Sequence, residues 1–277
     1  MGERGRKTGL VSEGKKGLPN DAPHWDDRYR ICFRPRYNYV TGAVCAAQAE
    51  VVDQRPEEGG GAPPSDVAVL CRVWDLLLAW QGRCLPLVPV TVRLSRQGVC
   101  DDSVCIALEE RAWRGGLEPS LLSLELPENV YPEEGGRLIS AAERLRAAGF
   151  PVELGGFGSG CFLPELLRDV PADSLKLNMR FLEQGERNAR SGSILSGVIR
   201  MAHWLHLPVV ADGVSTVLQA VYLKSIGCFT MQGDYFAPPL PTGEFEELLW
   251  ESAGAGSGLL RRGDDLCQVE NFFNASD

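Results

Sequence analysis

Asp66 to Leu94 reads DVAVLCRVWDLLLAWQGRCLPLVPVTVRL, and this stretch decides the fold. Val69, Val73, Leu76, Leu77 and Trp80 recur at helical spacing, which predicts an amphipathic helix over Asp66 to Gln81. The β-rich run Leu87 to Leu94 follows it and predicts a strand. Downstream the same alternation continues. Strands are predicted at Leu121 to Leu126, Pro151 to Leu154, Ser174 to Asn178, Leu207 to Ala211 and roughly Cys228 to Gln232. Helices fall between them at about Glu133 to Ala148, Ser191 to Leu205 and Thr216 to Ile226, with Gly149 and Gly227 as C-cap glycines after two of them. Upstream the order differs: Arg30 to Asn38 and Ala43 to Val51 flank the tight-turn signal Val40-Thr41-Gly42, which predicts an antiparallel hairpin. The whole pattern predicts an α/β fold, a (β/α)8 TIM-type barrel with an N-terminal antiparallel strand, whose chemistry would sit at the C-terminal ends of the strands.

Composition narrows the function classes. The chain has 277 residues, 44% hydrophobic and 23% charged, enough for one large α/β domain with a sizeable core. Its net charge of -9 and pI near 5.0 give no global field for phosphate backbones, and no basic patch stands out, so nucleic-acid binding is not expected. Nine cysteines, an odd number, sit mostly in apolar runs without the CxxC spacing of a zinc site, and read as reduced core residues. No apolar run reaches the ~18 residues of a membrane span and no secretory segment opens the chain, so no membrane contact and a cytoplasmic location are expected. Residues 1–27 form an N-terminal tail, expected to be disordered for want of large apolar side chains; 28–250 form the barrel domain; 251–277 form a C-terminal extension. In that extension Leu259 to Phe273, with Leu266 and Phe272-Phe273, fits either a tail packed on the barrel or a homodimer contact.

Four segments at strand ends carry a resemblance. Gly156-Phe157-Gly158-Ser159-Gly160, Leu175-Lys176-Leu177-Asn178, Ala211-Asp212-Gly213-Val214-Ser215 and Gln232-Gly233 running to Pro238-Pro239-Leu240-Pro241 stand in order with fitting spacing. Together they resemble the EAL domains, which hydrolyse the bacterial messenger cyclic di-GMP, over roughly Ile31 to Leu249. The resemblance implies a phosphodiesterase-type site in which two Mg²⁺ or Mn²⁺ ions, held by oxygen ligands, generate a hydroxide and stabilise displacement at phosphorus.

Most positions implied to hold those ions have changed. The signature Glu aligns with Gln48, and the ligand Asn with Arg93, whose guanidinium offers no lone pair. Two adjacent aspartates align with Gly155 and Gly156; the Asp of Leu-Lys-Ile-Asp has become Asn178, and the second Glu of Ala-Glu-Gly-Val-Glu has become Ser215. Glu125, Lys176 and Gln232 are unchanged, Asp212 is a shortened Glu, and Glu128 matches a Glu that steadies the loop. No metal or other cofactor is therefore expected, and no catalytic residue set is intact. Glu50 lies two residues, ~6–7 Å, beyond Gln48 on the same strand face and reads as a rim charge, with a displaced metal ligand as the alternative. Arg93 is expected either to take the cation's place beside Glu125 or to swing to solvent. Lys176 reads as an anchor for a carboxylate or phosphate, and His203 and His206 as structural residues of one helix.

Three functions follow from these readings. An inactive regulatory module acting through a protein partner fits the losses best. A metal-independent cyclic di-GMP receptor is the alternative, with Arg93, Glu125, Lys176, Asp212 and Gln232 as ligand contacts. Against it stand Glu50 where the family has an apolar Leu, Val52 where it has a nucleotide-contacting Arg, and a short Gly- and Pro-rich wall from Arg55 to Ser65. An active phosphodiesterase is third.

Overall fold

The computed structural model describes residues 25–56, 62–127, 129, 133–157, 164–179 and 189–254. The N-terminal stretch 1–22, Glu128, Gly158 to Gly160 and the segment Leu259 to Phe273 lie outside the described residues.

The chain opens with the predicted hairpin. β1 (Tyr29–Asn38) pairs antiparallel with β2 (Val44–Asp53), and Gly42 takes φ 72° in the turn, a value that favours glycine. From β2 the sheet continues in parallel through β3 (Val90–Arg93), β4 (Leu122–Pro127), β5 (Val152–Phe157), β6 (Ser174–Asn178), β7 (Val209–Asp212) and β8 (Thr230–Gln232). β8 then pairs antiparallel with β1, which closes the barrel, and β9 (Leu240–Pro241) adds to β1 beside Cys32 and Phe33.

Strand alternation sorts the residues into two populations. Leu122, Leu124, Leu126, Val152 and Leu175 are fully buried in the main hydrophobic core. Burial of a side chain of this size contributes about 1.5–3 kcal/mol each. The alternate positions Arg36, Gln48, Thr91, Ser123, Glu125, Glu153, Lys176 and Gln232 are buried and polar. The barrel interior is thus a polar core inside an apolar jacket.

Several boundaries differ from the sequence-based expectation. β3 begins at Val90 rather than Leu87, because Pro86 and Pro89 interrupt the run and donate no ladder hydrogen bond. β5 runs through Phe157 instead of stopping at Leu154, so Gly155 is a strand residue opposite Pro127. Helices Arg96–Cys100, Asp102–Arg114 and Pro164–Asp169, together with Thr242–Gly254, have no counterpart in the expectation. The last of these matters to the fold: its Phe245 stacks on Phe33 at 5.0 Å, and Trp80 donates its indole N–H to Glu246 at 2.7 Å. Gly149 and Gly227 both take φ 92° directly after helices, as C-caps require. Thr216 and Gln219 form a reciprocal capping box on helix Val217–Ser225.

Among the described cysteines, all free, Cys32, Cys71, Cys105 and Cys228 are buried, and burial pushes the Cys228 thiol up to about 12. Cys84 is exposed, and Cys45 and Cys100 are half-buried, so the core assignment fails for these three. Among the described residues no helix is long and apolar enough to cross a membrane.

Candidate functional site

The C-terminal ends of the parallel strands open into a cleft of about 690 Å³. Its floor is one hydrogen-bonded network assembled from five strands. Lys176 of β6 donates to Gln48 Oε1 at 2.6 Å and Glu125 Oε2 at 3.0 Å, and its Nζ lies 3.1 Å from Asp212 Oδ2. Gln232 of β8 donates through Nε2 to Gln48 Oε1 at 2.6 Å and Asp212 Oδ1 at 2.8 Å. Gln48 in turn directs its own Nε2 to Glu125 at 3.4 Å.

Below this layer lies a buried ion pair that the sequence analysis did not find. Arg36 binds Glu153 through two parallel bonds of 2.7 and 2.8 Å, and its Nε donates to Gln232 Oε1 at 2.7 Å. That last bond fixes the orientation of the Gln232 amide: its oxygen faces Arg36, so its nitrogen must face Gln48 and Asp212. The available signal was charge at alternate positions of apolar strands, Arg34 and Arg36 on β1 and Glu153 on β5.

The electrostatics follow from these contacts. Burial pushes the Asp212 carboxyl up, but the Lys176 ammonium, the Gln232 amide and Arg36 outweigh it and hold the group below its ordinary value. Arg36 stays charged: burial works against its protonation, and Glu153, Glu125 and Asp212 more than offset it.

The expected site positions divide into two groups. Gln48, Glu125, Lys176, Asp212 and Gln232 converge in the network, whereas Asn178 and Ser215 line the cleft outside it. Ser215 binds Gln219 Oε1 through its backbone N–H at 2.8 Å and its hydroxyl at 3.1 Å, as part of the helix cap. Gly156 takes φ 81°. Gly155 has a sharper constraint: a Cβ there would lie 2.2 Å from Glu125 Oε1, because the Glu125 side chain fills that space.

Both alternatives for Arg93 hold in part: its Nε forms a long ion pair with Glu125 Oε1 at 3.7 Å while its side chain is 59% exposed, and the ammonium hydrogen-bonded to Glu125 is Lys176. Lys176 wins because β6 points it into the barrel, whereas Arg93 ends β3 at the rim. His203 and His206 do not share a helix, since the helix Ala189–Trp204 stops between them and His206 takes φ 58°. Glu50, read as a rim charge, is ion-paired: Arg34 Nε donates to it at 2.8 Å, and Arg34 Nη1 reaches Asp234 at 2.7 Å. Pro63 and Pro64, from the short Gly- and Pro-rich wall, line the cleft. Among the described residues no three His, Cys, Asp or Glu side chains converge as a metal site would require.

The EAL domain family matches residues 26–239. The signaling protein YkoW of Bacillus subtilis is 30% identical over 241 residues, covering 82% of this chain and 30% of that protein. The cyclic di-GMP phosphodiesterase NbdA of Pseudomonas aeruginosa is 36% identical over 148 residues, covering 53% of this chain and 18% of that protein. The matched segment thus spans less than a third of either relative. Among solved structures, the EAL domain of Mycobacterium smegmatis DcpA superposes with a TM-score of 0.70 at 24% identity, covering 80% of this chain and 96% of that one. The FimX EAL domain of Pseudomonas aeruginosa bound to c-di-GMP gives 0.65 at 18% identity, covering 77% and 91%.

Proposed function

The chain belongs to the EAL domain family, and from that premise we propose that it is a catalytically inactive member that acts as a regulatory module through contacts with a protein partner. The observation that carries this reading is the ammonium of Lys176, within 3.1 Å of Gln48, Glu125 and Asp212.

Mg²⁺ and Mn²⁺ take hard oxygen donors, carboxylates above all. Here Glu125 and Asp212 already share one internal cation, Lys176. The Gln48 oxygen accepts two hydrogen bonds of 2.6 Å, which occupies both its lone pairs. Gly155 offers no donor, and its side-chain space is filled by Glu125. Arg93 brings a further positive charge to the rim. These residues do not fit a pair of divalent cations. Loss of even one preorganised electrostatic group can cost ~10²–10³ in rate.

A second reading, a metal-independent cyclic di-GMP receptor, is favoured by the size of the cleft and by the exposed Arg93 guanidinium within it. The c-di-GMP-bound FimX domain shares this fold. Two measurements separate the readings. Incubation of the chain with cyclic di-GMP and Mn²⁺ is expected to give no linear product, and turnover would overthrow the proposal. Thermal unfolding with cyclic di-GMP alone is expected to show no shift. A receptor would instead gain about 2.7 kcal/mol at a ligand concentration 100 times its dissociation constant.

A further inference from the structure

Arg34 stands on the wall of the cleft with a guanidinium whose planar donors suit a phosphate group. Two carboxylates of the chain itself have already taken it. Glu50, on the neighbouring strand β2, accepts from Nε at 2.8 Å, and Asp234, in the segment after β8, accepts from Nη1 at 2.7 Å. These partners lie 16 and 200 residues away in sequence, so the clamp is built by the fold. Its members differ in freedom: the side chains of Arg34 and Glu50 are 18% and 30% exposed, whereas Asp234 is 78% exposed.

The clamp decides the charge of the cleft. Three cationic and four acidic side chains line it. Lys176 is taken by Glu125 and Asp212, and Arg34 by Glu50 and Asp234. A ligand with two phosphate charges would meet Arg34 with its Nε and an Nη1 donor already engaged and would sit beside both carboxylates. Neutralising Glu50 and Asp234 turns the lining from one net negative charge to one net positive charge and frees Arg34 Nε and Nη1.

We propose that Glu50 and Asp234 are the specificity determinants of this cleft, acting as built-in counter-anions that occupy Arg34 and so turn away doubly anionic phosphate ligands. The inference rests on the reading that the unaltered chain does not hold cyclic di-GMP, and it names the residues responsible.

The test is titration calorimetry on the full chain, with cyclic di-GMP and inorganic pyrophosphate as separate probes, at low and raised salt. E50Q/D234N is expected to bind both probes at least about tenfold more tightly than the unaltered chain, with the gain fading as salt screens it. Adding R34Q to that variant is expected to abolish the gain. A gain for cyclic di-GMP alone would mean that base contacts, not phosphate charge, set the selectivity, and would overturn the inference. A folded E50Q/D234N with no gain, or a gain that survives R34Q, would overturn it too and leave the proposed function standing. Tight cyclic di-GMP binding by the unaltered chain would overturn the regulatory-module reading itself. Should the double variant not fold, D234N alone, at a mostly exposed side chain, carries the same expectation at about threefold, and its failure counts equally.

Discussion

Removing the charge of Glu153 should destabilise the barrel more than almost any other conservative change. Arg36 and Glu153 are 3% and 1% exposed and meet through two bonds of 2.7 and 2.8 Å. Such a pair is not in itself a large source of stability, because both ions lose their hydration. Breaking it leaves a buried guanidinium without its partner, at a cost of about 3–5 kcal/mol. For E153Q that loss is expected in the free energy of urea unfolding at neutral pH, with an unchanged denaturant slope. It corresponds to a fall of roughly 6–20 °C in melting temperature for a domain of this size. The double variant R36M/E153L removes both charges and should recover most of the loss. It leaves Gln232 Oε1 without the donor it now has at 2.7 Å. An unpaired buried acceptor costs about 1–3 kcal/mol, so recovery should stop short of the unaltered chain. If E153Q costs less than about 1 kcal/mol, or if the double variant is less stable than the single, the pair is not the closed, dry contact described above.

Changes at neighbouring positions have equally specific outcomes. G155A places a methyl group where the Glu125 carboxylate lies, so it should push Glu125 off Lys176 and cost about 1–3 kcal/mol, read as a lowered urea midpoint. The folded Asp212 carboxyl ionises below its ordinary 3.8, so the stability it contributes is full above about pH 4 and is lost as pH falls through the lower folded value. D212N should therefore be less stable at pH 7 and show a shallower fall in stability between pH 7 and acid; an unchanged acid limb would refute the assignment. T216A breaks the capping box and should lower stability by about 1 kcal/mol, with little effect on ligand titrations at the cleft.

How much of this was legible in the chain varied with the range of the interaction. The Val40-Thr41-Gly42 turn, the helix from Asp66 and the glycines at 149 and 227 are local signals, and the fold carries them as expected. Helix Asp102–Arg114 escaped because Gly98, Cys100 and Asp101 break the apolar spacing before it and because only Val104, Cys105 and Leu108 on it are buried. Thr242–Gly254 escaped because its purpose lies elsewhere, in Phe245 against Phe33. At the cleft, alignment with the family placed Gln48, Glu125, Lys176, Asp212 and Gln232 on one mouth, and they meet there. Which cation would sit on Glu125 was beyond sequence, since Arg93 and Lys176 are both long enough. Only the inward direction of β6 decides it. The Glu50 to Arg34 to Asp234 clamp likewise joins segments whose proximity exists only once the barrel has closed.

That closure has a consequence for the order of events during folding. β1 finds β2 across a turn of a few residues, but its other edge waits for Met231 and Thr230, which meet Tyr37 and Asn38. Until nearly the whole domain has left the ribosome, the first hairpin presents an unsatisfied row of backbone donors and acceptors, the kind of edge that recruits strangers. Its Phe33 meanwhile lacks Phe245, which also arrives last. The nascent barrel thus exposes its first strand longest, and Tyr29 to Asn38 is the stretch whose shielding would matter most before closure.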